Sequence, residues 1–266
     1  TTHICYIHSP MRYAWSHQEM YVNSIPFFLR PIMRFFLKRL KNWDKTTIDN
    51  VDLYIANSSN VAQRVKKFYN RSAEVVFPPI EEKLFEKNEH KIKPEFYLSF
   101  GALTPYKKID LLIEVFNKSG KPLVIIGEGS EKEKLQKIAN KNIQFKSCKS
   151  WSEVEFYFLK TKALLFPGEE DFGMIPLEAM AYGIPVIAYG RGGALETVVE
   201  NRKEVEKSSG IFFHEQSLSS LEKAIRDFEA IESRFKSKWI IKHAKKFREK
   251  NFISSFQKVV SNYFVN

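Results

Sequence analysis

The chain has little of what staples or metallates a fold. It holds two cysteines, Cys5 and Cys148, in 266 residues. Both lie in strand-like runs without metal-ligand spacing, which excludes a disulfide framework or a zinc module and suits two structural thiols in a reducing cytosol. No apolar run approaches the eighteen or so residues of a membrane span. A complete G-x-G-x-x-G is also missing; "GEGSEKEKL" (127–135) is only a fragment of that fingerprint, and a tight strand–helix turn explains it equally well. The opening "HICYIH" reads as a buried strand and not as a secretory leader. A chain rarely begins mid-strand, so an N-terminal portion outside this sequence is expected.

What is present is a core and a charge imbalance. Apolar residues make up 44% and aromatics 14%, enough for one large or two medium packed domains. Forty-two Lys and Arg against 31 Asp and Glu leave a net charge of +11, which asks for a polyanionic partner: phosphates, nucleic acid or an anionic membrane face. The last stretch, 231–266, carries nine Lys/Arg against two Glu. Its apolar residues Phe235, Trp239, Phe247, Phe252, Phe256 and Tyr263 follow helical spacing. A helix with one packed and one basic solvated face accounts for this better than nucleic-acid binding, because no nucleic-acid motif accompanies the charge.

From residue 96 the pattern is regular. Apolar runs at 96–102, 122–129, 143–147, 163–168, 185–190 and 209–213 alternate with amphipathic stretches. Nearly continuous apolar runs suit strands buried on both faces of a parallel sheet, and Ser130/Glu133, Ser150/Glu153 and Ser219/Glu222 fit helix capping boxes. The fold class is therefore α/β, doubly wound. The expected organisation is the back half of a first α/β domain over 1–80, a polar linker over 81–95, a second α/β domain over 96–235, and helices over 236–266 that cross back to the first.

Ligands in such sheets bind at the carboxyl ends of the strands. The loop there with most chemistry lies in "FPGEEDFGMIPLEAMAYGIPVIA" (166–188). Gly173 permits a positive-φ turn, Pro176 suits a first helical turn, and Gly183 suits the helix end. The reading places Glu170 in the loop and Glu178 in the first turn. A glycine-preceded helix start offers free amides and a positive dipole end to a phosphate. Glu178 there has a structural explanation in the dipole, about 0.3–1 kcal/mol, and a functional one as a two-acceptor clamp for a ribose diol. "GALTPYKKID" (101–110) ends a strand at Gly101 and sets Lys107 and Lys108 at a helix start, where two cations suggest an anion. Gly192 and Gly193 open another strand-end loop, with Glu196 following.

Together these residues resemble the retaining family 4 glycosyltransferases of the GT-B fold. Glu170 and Glu178 match the E-x7-E signature, and "GALTPYKKIDLLIEVF" is similar to that family's basic loop. "HICYIHSPMRYAW" resembles the His-bearing segment of bacterial O-antigen mannosyltransferases of the lipopolysaccharide and capsule type. The resemblance implies two Rossmann-like domains around a cleft, the N-terminal one incomplete here. It implies Glu178 on the donor ribose, Glu170 on a hydroxyl of the donor sugar, and Lys107 with the backbone of Phe172, Gly173 and Met174 on the diphosphate. It further implies that His8 lines the sugar side; by itself His8 would read as a core histidine. Gly101, Lys108, Gly192 and Gly193 complete the donor set. Ala102 stands where the family often has Arg, which removes a diphosphate contact that Lys108 could replace. Base contacts are expected near Lys146–Ser150.

The expected reaction moves a hexose, mannose from GDP-mannose, with retention onto a glycan or lipid-linked acceptor. No D-x-D occurs, so a metal-independent donor site and no cofactor are expected. A two-carboxylate glycosidase fits less well, since one glutamate sits beside a phosphate site. A non-catalytic nucleotide-binding or membrane-docking fragment is the alternative. Residues 26–45, "PFFLRPIMRFFLKRLKNWDK", alternate aromatic and basic residues. A domain helix with a packed apolar face, broken at Pro31, is favoured there over a membrane-surface patch, and both hold if the basic face looks outward. A cytoplasmic enzyme, peripheral at the inner membrane face, is the expected location.

Overall fold

The computed structural model describes residues 1–85 and 94–265, and the chain divides into two compact units. The first comprises Thr1–Pro78 with Phe252–Asn266; the second is Pro79–Asn251. Helices expected to leave the second domain at 236 leave it later, since Ser237–Ala244 packs on a helix of the second unit. The linker expected over 81–95 begins as packed chain: Ile80 and Leu84 are buried in the second unit's core. Its residues 86–93 lie outside the described residues.

The first unit holds a parallel sheet in the order β1 (Ile4–Ile7), β2 (Leu53–Ala56), β3 (Glu74–Val75). Between β1 and β2 run α1 (Gln18–Asn23) and α2 (Arg30–Thr47); α3 (Ser59–Tyr69) joins β2 to β3. Ser58 caps α3 by accepting the Val61 amide at 3.0 Å, and Asn70 ends it in the left-handed region. Val51, Tyr54, Ala56, Val61 and Val65 make the small core. Pro31 does not break a helix. It occupies the first turn of α2, where a missing amide is harmless, and the irregularity lies before it in a 3-10 turn, Phe27–Leu29.

The second unit is a six-stranded sheet whose neighbouring strands are all parallel. Its strands are β4 (Phe96–Phe100), β5 (Leu123–Ile126), β6 (Ile143–Lys146), β7 (Thr161–Phe166), β8 (Val186–Tyr189) and β9 (Gly210–Phe213). Their spatial order is β6-β5-β4-β7-β8-β9. Alternate residues feed opposite cores. Leu164, Phe166, Val186 and Ala188 face one; Ala163, Leu165, Ile187 and Tyr189 face the other. Burial on both faces is why these strands read as unbroken apolar runs. The helices that cover them are α4 (Ile109–Ser119), α5 (Lys132–Ile138), α6 (Trp151–Lys160), α7 (Met174–Ala181), α8 (Ala194–Thr197), α9 (Leu218–Ile231) and α10 (Ser237–Ala244). The last helix, α11 (Glu249–Val265), runs into the first unit's part of the chain. Of the expected capping boxes, Ser150 with Glu153 forms at α6. Helix α9 is capped by Ser217 instead of Ser219, and α5 has no side-chain cap.

The winding direction reverses between β4 and β7. From β4 the chain steps outward through β5 and β6, then returns to β7 and steps outward the other way. That reversal opens a crevice at the carboxyl ends of β4 and β7.

Candidate active site at the strand crevice

Two loops meet at this crevice. The loop after β4 contains a 3-10 turn, Pro105–Lys107, which leads directly into the helix start that the two lysines suggested. Lys108 follows in the left-handed region at φ 57° and serves as N-cap of α4. The loop after β7 begins at Pro167–Gly168, and a Cβ on Gly168 would lie 2.9 Å from the Lys107 Cα. Glycine there lets the two loops touch. Lys107 and Glu170 form an ion pair in which both side chains are mostly buried, 15% and 13% exposed. The structure thus joins two residues that the sequence reading had assigned to different parts of one ligand.

Gly173 has φ 90° and is the N-cap of α7, which starts at Met174 and has no side-chain cap. The amides of Met174 and Ile175 therefore lack intrahelical acceptors, and the helix dipole adds about half a positive charge at that end. The phenyl ring of Phe172 is buried and packs on Phe247 at 5.9 Å, so only its backbone is available to a ligand.

Glu178 is displaced from its expected position. Because α7 begins at Met174 instead of at Pro176, Glu178 lies in the second turn, and the first turn holds no acid. The dipole explanation for Glu178 lapses. Burial pushes its carboxyl up to about 7, with the charge of Glu81 as the second cause. A carboxylate that burial disfavours is a stability cost in search of a use.

The loop after β8 supports the loop after β7 from beneath. The Gly193 amide donates to the Glu170 carbonyl at 2.9 Å. A Cβ on Gly193 would fall 2.2 Å from the Phe172 Cα, and one on Gly192 would fall 2.3 Å from the Glu170 carbonyl oxygen. In this structure Gly192 and Gly193 hold the backbone that carries Glu170 and Phe172. Gly101 has φ 136° at the end of β4, where a Cβ would meet the Ile175 side chain at 2.9 Å, so it joins the β4 loop to the start of α7. His8 belongs to the other unit, where it is exposed at the end of β1 with its ring edge-on to Tyr6 at 5.3 Å. It is not a core histidine.

Three features escaped the sequence reading. Thr104 Oγ1 is buried with no hydrogen-bond partner among the described residues, one turn from Lys107. Glu128 Oε1 accepts from Lys132 Nζ and from Ser147 Oγ, both at 2.6 Å, tying the loop after β5 to the loop after β6. His243 on α10 is buried and bonds the Thr197 carbonyl through Nε2 at 2.8 Å, which locks the end of α8. Only "GEGSEKEKL" hinted at the second of these; the others depend on long-range packing.

Comparison with known proteins agrees with this architecture. A family model described as "Glycosyl transferases group 1" matches residues 80–251, well over half of the chain. The alpha-1,3/1,6-mannosyltransferase ALG2 of Candida glabrata is 26% identical over 212 residues, covering 59% of this chain and 46% of that protein. The O-antigen chain mannosyltransferase RfbU of Salmonella typhimurium is 28% identical over 142 residues, covering 49% and 40%. The chain thus spans less than half the length of these relatives. Among solved structures, Anabaena HepE in complex with UDP superposes with a TM-score of 0.71 at 17% identity, covering 84% of this chain and 67% of that one. This likeness shows the fold, an α/β fold of the GT-B type. The chain belongs to the group 1 glycosyl transferases.

Proposed function

We propose that the protein is a retaining glycosyltransferase of family 4 that takes a hexose from a nucleotide donor, GDP-mannose, to a glycan or lipid-linked acceptor. The observation that carries this reading is the Lys107–Glu170 pair at the crevice beside the uncapped start of α7. One end of that arrangement is cationic and suits a diphosphate; the other is a carboxylate that suits sugar hydroxyls. When a donor enters, Lys107 transfers its charge from Glu170 to the diphosphate, and Glu170 is released to accept from the sugar. Thr104 Oγ1 supplies a further hydrogen bond to the phosphates, and Glu178 holds the ribose.

Chemistry follows from the leaving group. Departure of a nucleoside diphosphate builds negative charge that fixed donors stabilise, typically by 10²–10³-fold per group. Lys107 and the Met174 and Ile175 amides meet that need without a metal ion, and no cofactor is required. Glu170 positions a hydroxyl of the sugar beside an oxocarbenium-like centre, Glu178 holds the ribose of the leaving group, and the acceptor attacks from the face the diphosphate leaves. Mannose as the sugar rests on the ALG2 and RfbU relatives. A lipid-linked acceptor, in surface polysaccharide synthesis, would place the enzyme at the cytoplasmic face of a membrane.

A second reading keeps the reaction and changes the base. HepE is described in complex with UDP, which supports a uridine donor. A thermal-shift panel of GDP, UDP, GDP-mannose, UDP-glucose and UDP-N-acetylglucosamine separates the two. Stabilisation by GDP and GDP-mannose alone supports the first; stabilisation by the uridine compounds alone supports the second. No response to any nucleotide would sink both.

A further inference from the structure

Helix α2 carries three stripes, each with the i, i+4, i+7, i+11 spacing of one helix face. The inward stripe is Met33, Leu37, Leu40 and Asp44. Leu37 and Asp44 are buried, and Asp44 accepts from Trp15 Nε1 at 2.7 Å and from the Tyr69 hydroxyl at 2.9 Å. The second stripe is Ile32, Phe36, Arg39 and Trp43, with Phe36 and Trp43 each about 60% exposed. Phe35 lies beside it, and the preceding turn adds Phe27 and Phe28, all more than half exposed. The third stripe is Arg34, Lys38, Lys41 and Lys45, and it is wholly cationic.

The expected packed apolar face is present as Met33, Leu37 and Leu40, and a second, aromatic face is turned outward. A run of exposed aromatics of this extent marks an interaction surface. Its charge says what kind. Asp44 is the only acid in α2 and is turned inward; Glu19 of α1 pairs with Arg34 at 2.8 Å, and Lys38, Arg39, Lys41 and Lys45 leave the outer surface of the helix aromatic and net cationic. Arg39 lies over the Phe35 ring at 5.4 Å and Lys41 over Trp15 at 4.7 Å. Aromatics beside a row of cations match the boundary between acyl chains and anionic headgroups. No helix among the described residues is long and apolar enough to cross a membrane, so α2 would lie on a bilayer and not span it.

We infer that α2 and the Phe27–Leu29 turn form a docking surface for an anionic membrane, inserting the aromatic stripe while the cationic stripe meets the headgroups. The surface is independent of the donor site, and its test reads vesicle binding alone. The chain is sedimented with phosphatidylcholine vesicles and with vesicles also containing phosphatidylglycerol. Binding to the anionic vesicles, weakening as salt is added, is expected. The variant Phe27→Ser/Phe28→Ser/Phe35→Ser/Phe36→Ser should abolish binding. Lys38→Gln/Arg39→Gln/Lys45→Gln should lower partitioning by roughly a hundredfold, about fivefold per charge. All seven side chains are exposed, so circular dichroism should show both variants folded. Absence of binding to anionic vesicles overturns the inference, as does equal binding by the variants. A concentration-dependent dimer in sedimentation, removed by the aromatic variant without any vesicle binding, also overturns it by making this face a protein interface.

Discussion

Replacing Glu178 by Gln should make the protein more stable, with a gain that grows from the ordinary carboxylate range up to about pH 7. Burial raises the Glu178 carboxyl from the ordinary carboxylate range to about 7. Between those two values the folded chain keeps a proton that the unfolded chain has released. The group's contribution to stability is therefore complete below the ordinary carboxylate range, declines as pH rises above it, and is gone once pH has passed about 7. At about 1.4 kcal/mol per tenfold change in proton affinity, the charged form costs roughly 3 kcal/mol at pH 8. For a unit of this size that corresponds to a Tm rise of roughly 6–12 °C for Glu178→Gln. The neutral amide matches the protonated acid in shape, so the two proteins should melt together below about pH 4, diverge as pH rises from there to about 7, and keep a steady offset above it. Thermal melts across that range provide the assay. A constant offset at all pH values, or a Gln variant less stable at pH 8, would refute burial as the cause. The same substitution should weaken nucleotide binding by about 10–100-fold if the carboxylate holds the ribose. A residue that costs stability and supports binding is the trade-off expected at a functional site.

Other outcomes follow from the same geometry. Lys107→Met and Glu170→Gln should each lower turnover by at least about a hundredfold, and the double variant should lose clearly more than either, because donor entry separates the pair into two contacts; a double variant no worse than the singles in steady-state kinetics would show that the two act only through each other. Gly193→Ala should destabilise by about 1–3 kcal/mol or more, since its Cβ would overlap Phe172 backbone in a loop with no room to yield; an unchanged Tm in calorimetry would contradict the packing. Burial pushes the His243 imidazole down, so its contribution to stability is present above about pH 6.5 and declines as pH falls below it. Measured in the Glu178→Gln background, where the opposing carboxylate is gone, this acid sensitivity should disappear on His243→Phe.

How much of this was legible beforehand differs by residue. All six strands of the second unit were readable, because burial on both sheet faces leaves unbroken apolar runs such as "ALLFP". Gly173 was readable as a turn, and its φ of 90° agrees. The start of α7 was not, since proline is tolerated anywhere in a first turn and Pro176 gave no fixed origin. That error of two residues moved Glu178 from the first turn to the second and removed its dipole explanation. The pairing of Lys107 with Glu170 depends on β4 and β7 being spatial neighbours, which is a matter of sheet order and not of local pattern. The packed face of α2 was readable, but the outward aromatic stripe was not, because periodicity shows which faces are apolar without showing how many of them the rest of the unit covers.

In the proposed mechanism the crevice between β4 and β7 binds a nucleotide sugar through Lys107 and Glu178. Calorimetric titration of GDP-mannose into the wild-type chain, Lys107→Met and Glu178→Ala tests it most directly. Saturable binding to the wild type, reduced at least about tenfold by either substitution, is expected. Binding that is the same in all three proteins would contradict it.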